Sequence, residues 1–198
     1  MLLTIIGVLF ALLVLLVLVG VGFFNRLITL RNRYQNAFSQ IDVQLTRRYD
    51  LIPNLVETAK AYMKHEREAL EAVIAARNQA QSGFRRLAQS PDDPAAMQTF
   101  AMAEQGLGGV LGRFFALSEA YPDLKASDNM KQLSEELSST ENRVAFSRQA
   151  YNDGVTEFNI VREKFPSNIV AALFSFKPAV LLEVDDAAKR QAPLISFS

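Results

Sequence analysis

The pattern of apolar and polar positions divides the chain before any motif does. Residues 1–24, "MLLTIIGVLFALLVLLVLVGVGFF", carry no charged side chain, and every charge lies after them. At about 1.5 Å per residue, a run of this length crosses a hydrocarbon core of roughly 30 Å. A cleaved secretory signal is the competing reading. It would need a basic start, a shorter apolar stretch and a small-residue cleavage site, and this run has none of them. A retained anchor, residues 1–25, is the expectation.

Beyond the run the apolar spacing becomes helical. Phe38, Ile41, Leu45, Ile52, Leu55, Val56, Ala59, Tyr62, Met63, Leu70, Val73 and Ile74 recur by threes, fours and sevens, one stripe of a long helix. Pro53 interrupts it without resetting its phase, since Leu45 to Ile52 is a full heptad step. Proline removes the bond to the carbonyl of Tyr49 and crowds it, so the helix either bends and continues or restarts with Asp50 as its cap.

"SGFRRLAQSPDDP", residues 82–94, reads as a loop. A second helix over about 94–120 carries Met97, Phe100, Leu107, Leu111 and Phe114, and "YPDLKAS" ends it. A third over about 127–164 carries Met130, Leu137, Val144, Tyr151, Val155 and Phe158. "FPSNIVAALFSFKP" then predicts a short apolar helix capped by Ser167 or Asn168.

The expected fold is all-α: an N-terminal transmembrane helix, then an antiparallel bundle of three long helices plus a short C-terminal helix over 26–178, with 179–198 as a tail. Counting reversals from the anchor puts "YPDLKAS" near the membrane and "FPSNIVAALFSF" at the far end.

Charge adds orientation. Arg26, Arg31 and Arg33 follow the apolar run and nothing basic precedes it, so the positive-inside rule leaves the soluble part in the cytoplasm. The chain has no cysteine, which excludes disulfides and a thiolate nucleophile, and its net charge of +0 argues against a nucleic-acid partner.

Candidate chemistry is thin. "GLGGVLG", Gly106 to Gly112, lacks a phosphate-loop spacing and reads as a place where two helices approach closely, at Gly108 and Gly112. His65 is the only histidine, so "KHERE" is half of a zinc helix at most. Asp50, Glu57, Glu66, Glu119 and Glu141 are carboxylates on solvated faces; no catalytic residue, metal or cofactor is indicated. The polar residues around Pro53 are less ordinary. Arg47, Arg48 and Asp50 crowd before it, and Glu141 and Arg143 sit in the middle of the third helix: either these are surface ion pairs, each worth about 0–1 kcal/mol, or Asp50, Asn54, Glu141 and Asn142 satisfy the backbone opened at Pro53 or join subunits.

"RRYDLIPNLVETAKAYMKHE", "YPDLKA", "ELSSTENRVAFSRQAYNDGVTEFN" and "FPSNIVAALFSF", in that order behind one apolar span, resemble the LemA family from about Asn32 to Lys177. The resemblance implies a single-pass bacterial membrane protein with a helical cytoplasmic domain and no established enzymatic activity. One branch of the family is linked to shaping or forming membrane compartments. The motif residues it carries over are Asp50, Leu51, Ile52, Pro53, Asn54, Glu141, Asn142, Arg143, Tyr151, Asn152, Phe165, Pro166 and Asn168.

Two functions then compete. One is a non-enzymatic scaffold that is anchored through residues 2–24, self-associates as a homo-oligomer and organises or shapes the membrane. The other is a regulatory adaptor for another membrane protein, such as a protease or transporter.

Overall fold

A computed structural model describes residues 1–183, all helix, turn and extended chain. Six helices follow one another: α1 Leu2–Lys60, α2 Arg67–Gln89, α3 Pro94–Ser118, α4 Pro122–Ala126, α5 Asp128–Glu163 and α6 Ser167–Leu173. The all-α class and the long apolar N-terminal helix followed by a bundle are as the sequence indicates. The described chain packs as two compact units, Met1–Gln40 with Ser147–Leu181, and Ile41–Phe146 with residues 182–183.

In the first unit α1 and α5 run antiparallel. Leu27, Leu30 and Tyr34 on α1 and Tyr151, Val155 and Phe158 on α5 are buried, and the Tyr34 ring sits 5.4 Å from Phe158 and 6.1 Å from Tyr151. Gly154 sets the distance between the helices. A Cβ there would lie 3.1 Å from the Tyr34 Cβ and 3.3 Å from its Cα, so a side chain would press on backbone. After α6 the chain returns along this pair. Asn159 clamps it, donating to the Ala179 carbonyl at 2.9 Å and accepting from the Ala179 amide at 3.0 Å, while the Tyr151 hydroxyl donates to the Val180 carbonyl at 2.8 Å.

The second unit holds the C-terminal part of α1, all of α2, α3 and α4, and the first half of α5. Here the structure has one more long helix than the sequence suggests. The stripe from Phe38 to Ile74 is two helices, broken at 61–66, "AYMKHE". That stretch has neither glycine nor proline. It turns because Tyr62 and Met63 both bond back to the Ala59 carbonyl and Met63 is driven fully inside. α2 then runs back along α1.

The expected loop at 82–94 is mostly helix. α2 continues to Gln89, with Gly83, Phe84 and Leu87 buried, because Gly83 brings α2 within van der Waals contact of the Phe100 Cα on α3. Only the turn at 90–93 is left, and Asp93 caps α3 by accepting from the Ala95 amide at 2.9 Å ahead of Pro94.

The extra reversal gives both segments other neighbours than the count predicts, and "FPSNIVAALFSF" lies beside the end of the apolar run, not at the far end. The Tyr121 hydroxyl of "YPDLKA" donates to Glu66 at 3.0 Å, in the turn after α1, whereas Phe174 of "FPSNIVAALFSF" lies 4.7 Å, ring to ring, from Phe24 at the end of the apolar run. Two further expectations change. Among the described residues no neighbouring side chain or other element lies within 4 Å of where side chains at Gly106, Gly108, Gly109 and Gly112 would begin, so these glycines form an open face of an unbroken α3, not a close approach between described helices. Ser167 does not cap α6: its hydroxyl turns back to the carbonyls of Val161 and Lys164, closing the end of α5, and Asn168 is exposed. The expected tail lies outside the described residues from 184 on.

Candidate functional site

The second unit brings charged groups inside, around the proline. Arg48 is 5% exposed because it lies between Leu45 and Ile52 on the buried stripe of α1. Burying a guanidinium is costly unless every charge is answered. Its Nη1 donates to Glu104 Oε2 of α3 at 2.6 Å and its Nη2 to Glu141 Oε1 of α5 at 2.8 Å. Glu104, 8% exposed, uses its other oxygen to accept from the Tyr49 hydroxyl at 2.6 Å. One carboxylate and one guanidinium thus tie α1, α3 and α5 together.

The carbonyl of Tyr49 is the one Pro53 leaves without an amide partner. α1 nonetheless continues through Pro53 to Lys60, which settles continuation over a restart at Asp50. What answers the carbonyl is Arg77 of α2, whose Nε donates to it at 2.9 Å. The same guanidinium lies 3.6 Å from Asp50 and donates to Gln81 Oε1 at 3.0 Å, so it is held in place from both sides. The role expected of Asp50, Asn54, Glu141 or Asn142 at the opened backbone therefore falls to Arg77.

The remaining motif residues scatter. Arg47 is exposed and pairs with Glu136, while Asn54, Asn142, Arg143, Phe165, Pro166 and Asn168 are on the surface. Asn152 is half-buried in the first unit, near the fully enclosed Tyr151. Glu104, Tyr49 and Arg77 were not singled out by sequence. Their signal was present for Glu104: it occupies a stripe position between Phe100 and Leu107, where an apolar residue belongs.

A proton consequence follows. Burial, then the adjacent Glu104 carboxylate and the bond to it, push the Tyr49 hydroxyl well above the ordinary tyrosine range. A raised native value means that the stabilisation is intact below the unfolded-state value of about 10 and is lost as pH climbs past it. We expect stability to fall above pH 10 by up to about 1.4 kcal/mol per pH unit more in the native chain than in Tyr49→Phe. Urea unfolding of both at pH 9 and pH 11 checks it; parallel losses would place the hydroxyl in water.

Beside this cluster the hairpin of α1 and α2 leaves an open groove of about 890 Å³. Val56, Met63, Leu70 and Ile74 line it with Pro53, and Lys60, Lys64 and Arg67 are among its charged residues. Among the described residues no group of three metal-binding side chains converges.

The comparisons agree with the fold. A match to the LemA family covers residues 37–197. The chain belongs to the LemA family. This LemA-family chain is 27% identical over 172 residues to the magnetosome protein MamQ of Magnetospirillum gryphiswaldense, spanning 78% of this chain and 62% of that one. It is 29% identical over 153 residues to Protein LemA of Metamycoplasma hominis, spanning 77% and 65%. A shorter match, 36% identical over 77 residues, joins it to magnetosome protein MamQ 2 of Paramagnetospirillum magneticum, over 39% of this chain and 28% of that one. The chain thus spans less than two thirds of the length of these relatives. Among the described residues one helix, α1, is long and apolar enough to cross a membrane, which is consistent with a membrane protein.

Proposed function

We propose that the chain is a non-enzymatic scaffold, anchored through residues 2–24 in a bacterial inner membrane with its bundle in the cytoplasm, which self-associates and organises or shapes that membrane. The observation that carries this reading is the continuity of α1. The helix passes from the apolar run into the packed part of the first unit without a break, and Leu27, three residues beyond Phe24, is already fully buried. A protein built to swing a domain on a tether would have a flexible linker there; this one fixes the unit rigidly to its anchor.

Self-association is supported by apolar and small residues that the second unit leaves open. Val43, Met102 and Phe146 are exposed, and α3 presents Gly106, Gly108, Gly109 and Gly112 to solvent. Glycine costs a helix about 1 kcal/mol per position relative to alanine, so four without a neighbour among the described residues fit close approach by a second copy. Two of the relatives are named magnetosome proteins, and the compartment-shaping branch that the family resemblance implies fits a part in organising a membrane.

The test is the particle mass of the full chain in mild detergent, by light scattering corrected for bound detergent, with electron micrographs of the same fraction. Assemblies of many copies with a regular outline are expected. A clean monomer at micromolar concentration would overturn the scaffold.

The groove between α1 and α2 favours the second reading, a regulatory adaptor. Its apolar lining with charged residues along it has the form that receives an amphipathic helix. A photo-crosslinker at Ile74 in native membranes separates the two: adducts to another membrane protein favour the adaptor, adducts to the same chain the scaffold.

A further inference from the structure

The two sides of α6 are unlike. Ser167 and Ala171, four residues apart, are buried in the first unit. Ile169 and Leu173, also four apart, are turned outward, with Leu173 76% exposed. Phe165 before the helix, 80% exposed, and Phe174 after it lengthen this apolar side. Four large apolar side chains gathered on one short segment exceed the scattered exposure normal to a soluble surface, and patches of this kind mark a partner or a membrane.

Height along α1 decides which. Phe24 is the last residue of the uncharged run, and its ring lies 4.7 Å from Phe174 and 5.8 Å from Phe176. Phe176 is itself buried, 6.3 Å from Phe158 of α5, so the contact is anchored in the core of the unit. Because α1 is helical straight through this point, α6 has no slack to rise or sink: it is held level with the end of the apolar run. If residues 2–24 cross a bilayer, that level is the boundary between hydrocarbon and headgroups.

A short helix with one apolar side is at home there, its side chains reaching about 5–10 Å inward. The charges suit the place. Lys164 precedes the segment and Lys177 follows it, both exposed, and long lysine stems let the ammonium groups stay with lipid headgroups while neighbouring apolar side chains sink. Both would also be drawn to anionic lipid.

We propose that α6 with its flanking phenylalanines is a second membrane contact, lying in the surface of the bilayer beside the span with Phe165, Ile169, Leu173 and Phe174 in lipid. The proposal rests on the anchor reading of residues 2–24. A lone helix is free to rotate about its own axis, whereas a span with an interfacial helix fixed to one side is not. The first unit therefore meets the membrane with one defined side.

The absence of cysteine makes the test clean. Leu173→Cys, Leu13→Cys and Asp92→Cys, each in the full chain, are labelled with bimane and reconstituted into phosphatidylcholine vesicles containing phosphatidylglycerol. Quenching is read with lipids brominated near the headgroup or deep in the acyl chain, and with aqueous iodide. The Leu173 label is expected to be quenched several-fold more by shallow-brominated lipid than the Asp92 label, and Leu13 most by the deep bromines.

Three results would overturn the proposal, and they differ. Leu173 quenched by iodide and not by lipid, with Leu13 quenched by lipid, sinks this contact alone and leaves the anchor. Leu13 untouched by lipid sinks the anchor and this proposal with it. Leu173 shielded from both quenchers means that protein, such as a second copy, covers the face. Ile169→Cys repeats the reading at a second position, so a local disturbance at 173 cannot decide it.

Discussion

Glu104→Ala is expected to cost about 3–5 kcal/mol of stability, the range for removing one partner of a buried ion pair. The loss comes less from the missing attraction than from what stays behind. Arg48, 5% exposed, keeps only Glu141, half out in water, and the Tyr49 hydroxyl loses the oxygen it donates to. Urea unfolding of the full chain in mild detergent, followed by circular dichroism, measures the change. Replacing the cluster as a whole, Arg48→Met with Tyr49→Phe and Glu104→Leu, should recover most of the loss, because no group is then left buried and unanswered. A cost below about 1 kcal/mol for Glu104→Ala would be that of a surface pair and would place the cluster in water.

The second large effect is conditional. Arg77→Ala is expected to cost about 1–3 kcal/mol, since the Tyr49 carbonyl then has neither the guanidinium nor an amide at position 53. In a Pro53→Ala background the same change should cost well under half as much, because the substituted alanine supplies the N–H that closes the normal helical bond to Tyr49. The difference between the two costs is a coupling energy between residues on different helices. Asp50→Asn, measured beside it, removes the contribution of the 3.6 Å ion pair. Equal costs in both backgrounds would show that Arg77 acts through Asp50 or Gln81 and not through the carbonyl.

These two sites show what could be read from the sequence and what could not. The uncharged run, the helical stripes and the phase kept across Pro53 are properties of single segments, and single-segment periodicity reports them faithfully. The turn at 61–66 is invisible to the same logic. Ala59, Met63 and Leu70 keep a helical step whether the chain goes on or doubles back, because both arms of the hairpin bury the same kind of face. That one missed reversal is why the count placed "FPSNIVAALFSF" at the far end, whereas Phe174 lies beside Phe24 at the end of the apolar run. Arg77 was hidden for a related reason: nothing in "ARNQ" tells which distant carbonyl a guanidinium will reach. Glu104 could have been found, as a charge on an apolar stripe facing another such charge at Arg48. The family motifs pointed to Pro53 and to Glu141, but the group that answers the proline and the carboxylate deepest in the bundle lie outside them.

The Arg48–Glu104 bond also bears on how the chain can change by descent. Residues 48 and 104 are encoded far apart, and a single base change reaches only one of them. A lineage that loses either side alone passes through a protein short of its stability margin, although a variant that exchanges Arg48, Glu104 and Tyr49 together for apolar residues regains most of it. Drift is therefore opposed at the first step even though the far side is habitable.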